Sequence, residues 1–243
     1  MDKELIHSNS LVSGSRFAAD FDYKMHHYNI RLFESFLKNS NCLELGCYHG
    51  AMTKKLANVS QKVTAIDFDD VCVASTKENC REESNVTVLQ ADFFDYEGYE
   101  KHDVIYFSHT LEHIEDDRKL LEVIYTKMKK DALLITIVPN GESLSRKIAV
   151  KMGIMEDELI VTDFEKSIGH FRTYSMQKFQ ELFKSFPFSE FKFGGIMPKI
   201  FSNHQFDQSL ECNIIDDKFL DALFELSDEY TQICASIYSI CKK

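Results

Sequence analysis

Between residues 41 and 139 the hydrophobic period of the sequence switches every few residues, and no other feature constrains the fold as much. A short apolar run, Asn41–Leu45, ends at Gly46, and residues 51–58 then take helical spacing. KVTAI (62–66) is β-rich and ends in Asp67, 71–80 is helical, and VTVLQ (86–90) stops before Asp92. DVIYF (103–107) stops before Ser108, 118–128 is helical, and ALLITIV (132–138) is stopped by Pro139. Strands alternating with helices at this interval need crossover connections, and so a parallel sheet covered on both faces. The near-continuous apolar character of 132–138 fits a central position for that strand. The expected fold class is α/β, doubly wound.

The flanks are less regular. Residues 1–24 show no clear period and read as a loose arm. From 26 to 37, Ile30, Leu32, Phe33, Phe36 and Leu37 recur at helical spacing, so 1–40 reads as an arm plus a cover helix. Residues 139–172 break the rhythm and read as an inserted segment with one helix near 144–152. Helices are expected over 175–186 and 216–230, and a strand over 188–193. Residues 232–241 fit a strand or a long helix; their β-branched and aromatic content favours the strand. No repeat or linker divides the chain, so 1–243 is expected to be one domain.

The formal net charge is −11, from 39 acidic and 28 basic side chains. Such a surface repels phosphate backbones and argues against nucleic acid as a partner. No apolar run approaches the length of a membrane span and no leader pattern opens the chain, so no membrane partner is expected. The seven Cys contain no C-x-x-C pair, which points to reduced thiols and a cytoplasmic location.

The first strand and its turn read Leu43-Glu44-Leu45-Gly46-Cys47-Tyr48-His49-Gly50. Gly46 permits a tight turn and lets a ligand approach the backbone. Gly50 stands near the helix start, where a side chain would meet the ligand or the sheet. Glu44 would repel a pyrophosphate and suits a cationic, aminoacyl-bearing ligand. Asp67 ends the second strand, where an acid accepts hydrogen bonds from both ribose hydroxyls. Asp92 follows the third strand, where a carboxylate can accept from an adenine amino group while the next N–H meets a ring nitrogen. Three acids at the ends of three successive strands share one crevice of a parallel sheet.

The stretches LELGCYHG (43–50), VTAIDFD (63–69), VLQADFFD (88–95), DVIYFSHTLEHI (103–114) and LLITIVPNG (133–141) resemble the class I S-adenosylmethionine (SAM)-dependent methyltransferases. The resemblance covers roughly 41–141 and continues loosely through 169–174. It implies a seven-stranded, mostly parallel sheet with an antiparallel last strand, which supports a strand at 232–241. It implies SAM as cofactor, with Glu44, Gly46 and Gly50 around the methionine part, Asp67 on the ribose, and Asp92 with Phe93 on the adenine. Cys47, Phe68 and Ser108 complete the expected cofactor set. One departure is Tyr48, where the family usually has a further Gly. Either the backbone there keeps negative φ, or the turn differs.

Methyl transfer needs acceptor, methyl and sulfur aligned, and a base where the acceptor is a hydroxyl. Residues 108–113 follow the fourth strand and line this place. His109 is the leading candidate base, and Glu112 nearby is expected to raise its pKa. His113, at the expected start of the next helix, serves as base or packs there. His170, in the inserted segment, serves as base or is an exposed loop histidine; with Arg172 and Tyr174 it could close over the acceptor, Arg172 gripping an anionic group. His109-Thr-Leu-Glu112-His113 also fits H-x-x-E-H, but a loop after a strand does not present it on one helix face. Some quinone-biosynthesis O-methyltransferases carry E-x-x-E-H here and bind a divalent metal. His109 stands where the first Glu would be, so a metal is not favoured.

The expected function is methyl transfer to a small-molecule acceptor, at a hydroxyl oxygen. Similarity to enzymes that modify sugars and cell-surface glycan precursors is suggestive, and protein methylation stays open. A nicotinamide-dependent oxidoreductase needs G-x-G-x-x-G, which is absent. A non-catalytic SAM-binding protein would carry no base on the acceptor side, where His109 stands.

Overall fold

The computed structural model describes residues 20–243. Most of the arm expected over 1–24 therefore lies outside the described residues, and its last part is helical. The first helix, α1 (Asp20–Leu37), starts six residues earlier than the periodicity suggests. Phe21, Met25 and Tyr28 extend its buried stripe, and Phe21 stacks on Phe206 with ring centroids 4.5 Å apart. That partner is remote in sequence, which is why the first turns looked unpatterned.

After α1 come β1 (Asn41–Leu45), α2 (Ala51–Val59), β2 (Lys62–Asp67), α3 (Asp70–Asn79), β3 (Val86–Gln90), β4 (Val104–Ser108), α4 (Asp117–Lys127) and β5 (Leu133–Pro139). The irregular part holds α5 (Leu144–Lys151), α6 (Asp163–Ser167), α7 (Met176–Lys184), β6 (Glu190–Pro198), α8 (Asn203–Glu211), α9 (Asp217–Glu225) and β7 (Cys234–Lys242). The sheet order is β3-β2-β1-β4-β5-β7-β6, with β7 antiparallel to both neighbours and the other pairs parallel. Because β7 reverses against both β5 and β6, strands β1 to β6 all point the same way. Their carboxyl ends form one row, and the first residues of β7 join it.

Side chains alternate across this sheet. Leu43, Leu45, Ile105, Phe107 and Leu134 enter one core, closed by Leu120 and Ile124 of α4 and Phe179 and Phe183 of α7. Cys42, Val104, Tyr106, Ile135 and Ile137 enter the other, closed by Phe33 of α1, Leu56 of α2, Phe206 of α8 and Leu220 of α9. The strand reading of 232–241 holds, since β7 divides its residues the same way: Ile237 and Cys241 to the first core, Tyr238 and Ile240 to the second.

Two of the later elements end elsewhere than expected, and two helices are new. The strand expected over 188–193 continues to Pro198, because Gly194 and Gly195 admit Tyr238 and Cys234 of β7 against bare backbone. The helix expected over 216–230 stops at Glu225. Helices α6 and α8 were not foreseen, although each starts at a capping box, Thr162 with Glu165 and Ser202 with Gln205.

Candidate active site

The row of strand ends divides into two halves. At β1 the chain turns at Gly46, with φ of 82°. A Cβ there would lie 2.5 Å from Thr110 Oγ1 and 2.8 Å from its Cγ2, so the loop after β4 packs directly on this turn. Gly50 has φ of 80°, and its bare face meets Thr76 of α3 and Cys80 just after it. On the protein side, the space a Cβ would fill there is taken by this helix and its end. Tyr48 has φ of 48°: it keeps the left-handed turn that a glycine would take freely and carries a side chain in it, at a cost of about 1–2 kcal/mol. Its ring lies 3.9 Å from that of His49, and its N–H donates to Asp67 Oδ2 at 3.1 Å.

Glu44 is 3 % exposed and accepts from Thr53 Oγ1 at 2.6 Å. Burial raises its carboxyl to about pKa 8, and Asp67 adds to the rise. Asp67 is buried at the end of β2, where Oδ1 accepts from the Asp69 N–H at 3.2 Å. Phe68 follows it, half exposed. Asp92 is exposed, and its Oδ1 accepts from the Phe94 N–H at 2.8 Å. The Phe93 ring is in the core, edge-on to Phe107, so only its backbone can serve a ligand in the crevice. The Cys47 thiol is also buried, which pushes its pKa far up and leaves it inert at neutral pH. β4 ends on Ser108, between these groups and the second half of the row.

In that half, His109 follows β4 with φ of 50°, its N–H still bonded to the Ile137 carbonyl. Its Nε2 lies 3.5 Å from Ser236 Oγ at the start of β7, and its Nδ1 3.7 Å from Glu112 Oε1. Although its side chain is 39 % exposed, partial desolvation of the ring, with repulsion from His26, His170 and Lys199 wherever these carry charge, lowers the His109 pKa below the ordinary histidine value. Glu112 does not raise it as expected. That carboxyl is 2 % exposed, and burial lifts its own pKa to about 8, so at pH 7 it is mostly uncharged. Asn140, after β5, donates to the carbonyls of Gln232 and Cys234 at 2.9 Å and ties down the start of β7.

Other expected roles change. His113 does not begin a long helix: it closes the short 3-10 turn Leu111–His113, and α4 starts later, capped by Asp116 accepting from the Lys119 N–H. Arg172 is committed to the carbonyls of Ile114 and Glu115 and to Asp117, 3.3 Å away. It clamps the inserted segment to the β4–α4 loop. Tyr174 is buried in the core with its hydroxyl donating to Asp117 Oδ2. His170 does come in, with its ring centroid 4.6 Å from that of His113.

Two residues of this half were missed. Ser236 gave no signal of its own. Lys199 directly follows β6 and would have stood out as a strand-end residue had the strand been read to Pro198. Its ammonium lies 5.2 Å from the Phe21 ring centroid and donates to Asn203, and burial lowers its pKa to about 8, against the pull of Asp22 and Asp207.

This arrangement has known counterparts. Residues 17–192 match the family model described as "Methyltransferase domain". The chain belongs to this family. Nodulation protein S of Sinorhizobium fredii is 31% identical over 121 residues, 50% of this chain and 53% of that protein. Malonyl-[acyl-carrier protein] O-methyltransferase 1 of Ilyobacter polytropus is 26% identical over 91 residues, 37% of this chain and 34% of that protein. The chain thus matches about half the length of one curated relative and a third of the other. Among solved structures, a SAM-dependent methyltransferase of Thermotoga maritima, described as a possible histamine N-methyltransferase, superposes with a TM-score of 0.64 at 16% identity, over 98% of each chain. Membership in the family makes this chain a SAM-dependent methyltransferase with a Rossmann-like α/β fold. Among the described residues no helix is long and apolar enough to cross a membrane.

Proposed function

We propose that this methyltransferase carries the SAM methyl group to a hydroxyl oxygen of a small molecule, a sugar hydroxyl among the candidates, in a reducing cytoplasm. SAM lies across the ends of β1 to β3, on Glu44, Gly46, Gly50, Asp67, Asp92 and the Phe93 backbone, and the acceptor lies at the ends of β4 to β6. His109 carries the reading. A neutral imidazole at the end of β4, beside Ser236, can accept the acceptor's O–H hydrogen as the oxygen attacks the methyl carbon. A neutral amine brings its own lone pair and needs no such neighbour. The relatives' names point both ways, to an O-methyltransferase and to a possible N-methyltransferase. Methyl-labelled SAM offered with matched hydroxyl and amine acceptors decides it. Label on oxygen supports the proposal; transfer to amines alone overturns it.

Two measurements test the cofactor half. Glu44 starts with a raised pKa, and a cationic ligand beside it favours the carboxylate. The pKa is then higher in the free protein than in the complex, so binding releases a proton below about pH 8 and affinity rises with pH up to that point, by at most about tenfold per unit. Calorimetry of SAM binding at pH 7 in buffers of different ionisation enthalpy should read close to one proton released. No release would move the cation away from Glu44.

Asp67→Ala should weaken S-adenosylhomocysteine by about 1.5–3 kcal/mol, the scale of hydrogen bonds to a charged group. It also removes the acceptor of the Tyr48 N–H, so thermal unfolding of the ligand-free variant should accompany the titration. An unchanged dissociation constant would take the ribose off Asp67.

A further inference from the structure

The inserted segment returns to the β4–α4 loop at one point, and three metal-ligating side chains meet there. One donor atom each from Glu112, His113 and His170 lies within 4.8 Å of the others. The meeting is held by backbone. The Phe171 N–H donates to the Glu112 carbonyl at 2.9 Å, and the His170 N–H to the Glu165 carbonyl at 2.9 Å. Arg146 pins Glu165 at 2.7 Å, and Arg172 grips the carbonyls of Ile114 and Glu115. Gly169, with φ of 89°, turns the chain so that His170 follows directly.

Glu112 is 2 % exposed, and among the described residues its Oε2 has no hydrogen-bond partner. An unmade hydrogen bond at a buried carboxyl oxygen costs about 1–3 kcal/mol, a cost that a ligand at that oxygen would offset.

We infer that Glu112, His113 and His170 form a transition-metal site in which the inserted segment supplies the third ligand, His170. This differs from a site built on the H-x-x-E-H spacing, because His109 faces Ser236 and Glu112 and is not in the set. Two imidazole nitrogens and one carboxylate suit zinc, cobalt, nickel or ferrous iron, whereas magnesium prefers oxygen ligands throughout. Donors around tetrahedral zinc stand about 3.3 Å apart, so the three side chains close by about 1.5 Å at most. With two ligands on the β4–α4 loop and one on the inserted segment, the ion fastens that segment at the acceptor end of the crevice.

The test uses the full chain stripped with a chelator and titrated by calorimetry with zinc and, separately, magnesium. One zinc per chain at micromolar affinity or tighter is expected, undisturbed by millimolar magnesium. His170→Ala should lose about 100-fold or more in zinc affinity, and His109→Ala should lose none. Cobalt should give a d–d spectrum without a thiolate charge-transfer band, since among the described residues six of the seven cysteines are buried. S-adenosylhomocysteine affinity in His170→Ala reports folding and the cofactor half, so a failed metal site is distinguished from a failed methyltransferase reading. The site is overturned if zinc does not bind the parent chain, if it binds His170→Ala as tightly, if His109→Ala abolishes binding, if magnesium competes, or if a thiolate band appears.

Discussion

Replacing His109 with alanine lowers turnover by about 10²–10⁴-fold, the usual scale for a lost general base, and leaves S-adenosylhomocysteine affinity unchanged. The split follows from position. His109 sits after β4, its ring beside Ser236 of β7, while the groups assigned to the cofactor sit at β1, β2 and β3. Its left-handed backbone, with φ of 50°, is strained for a residue with a Cβ, and the two ladders that meet around it hold it there. Relief of that strain in the alanine variant is small, because alanine carries the same Cβ. The effect therefore reports the imidazole. His109→Gln keeps a hydrogen-bond acceptor without a titratable nitrogen and should recover part of the loss through orientation alone. Single-turnover rates with saturating SAM separate the chemical step from binding. Wild-type turnover in His109→Ala, together with a large loss in His170→Ala, would move the base into the inserted segment and count against the metal site as well.

Gly46→Ala should destabilise the protein by about 2–5 kcal/mol. Roughly 1–2 kcal/mol is the left-handed backbone of an L-residue, and about 1–3 kcal/mol is overpacking against Thr110. Thr110 has no easy retreat. Both its Oγ1 and its Cγ2 lie inside contact distance of the added methyl, and Oγ1 donates to the carbonyls of Leu45 and Ser108. Because Thr110 also follows His109, the strain passes from the cofactor half to the acceptor half. For a chain of this size each kcal/mol lowers the unfolding midpoint by about 2–4 °C, so a drop of roughly 4–20 °C is expected in a thermal melt. A shift under a degree would show that the two loops separate freely, and the close packing of the halves would lose its support. Tyr48 makes a useful contrast. Tyr48→Gly removes a left-handed strain at φ of 48° but also a ring packed on His49, so its two effects oppose each other.

The parallel strands β1, β2, β3 and β5 were legible because each is a short β-rich run whose end is marked by a glycine, an acid or a proline. Asn41–Leu45 and Val86–Gln90 begin and end where the sequence places them. The positions of the acids proposed for the cofactor were legible for the same reason: Glu44, Asp67 and Asp92 are defined by strand ends, and strand ends are local. The acceptor half was harder. Arg172, a cation near two histidines, looks like an anion clamp until its guanidinium is seen on two backbone carbonyls. Glu112 looks like a group that raises the pKa of His109 until its 2 % exposure shows that it holds its own proton at pH 7.

What the sequence determined by itself is the alternation of strand and helix, the parallel sheet that follows from it, and the three acids at its edge, since each depends on a period or a terminus readable within ten residues. What only the tertiary structure decided is which way the second half faces. Ser236 meets His109 across 127 residues, Phe21 meets Phe206, and His170 meets Glu112 and His113. Those pairings depend on the paths of the inserted segment and of β6 and β7, whose turns carry no periodic signal. They also depend on burial, which keeps the proton on Glu112 and lowers the pKa of Lys199 and is a property of the packed chain, not of the residues taken singly.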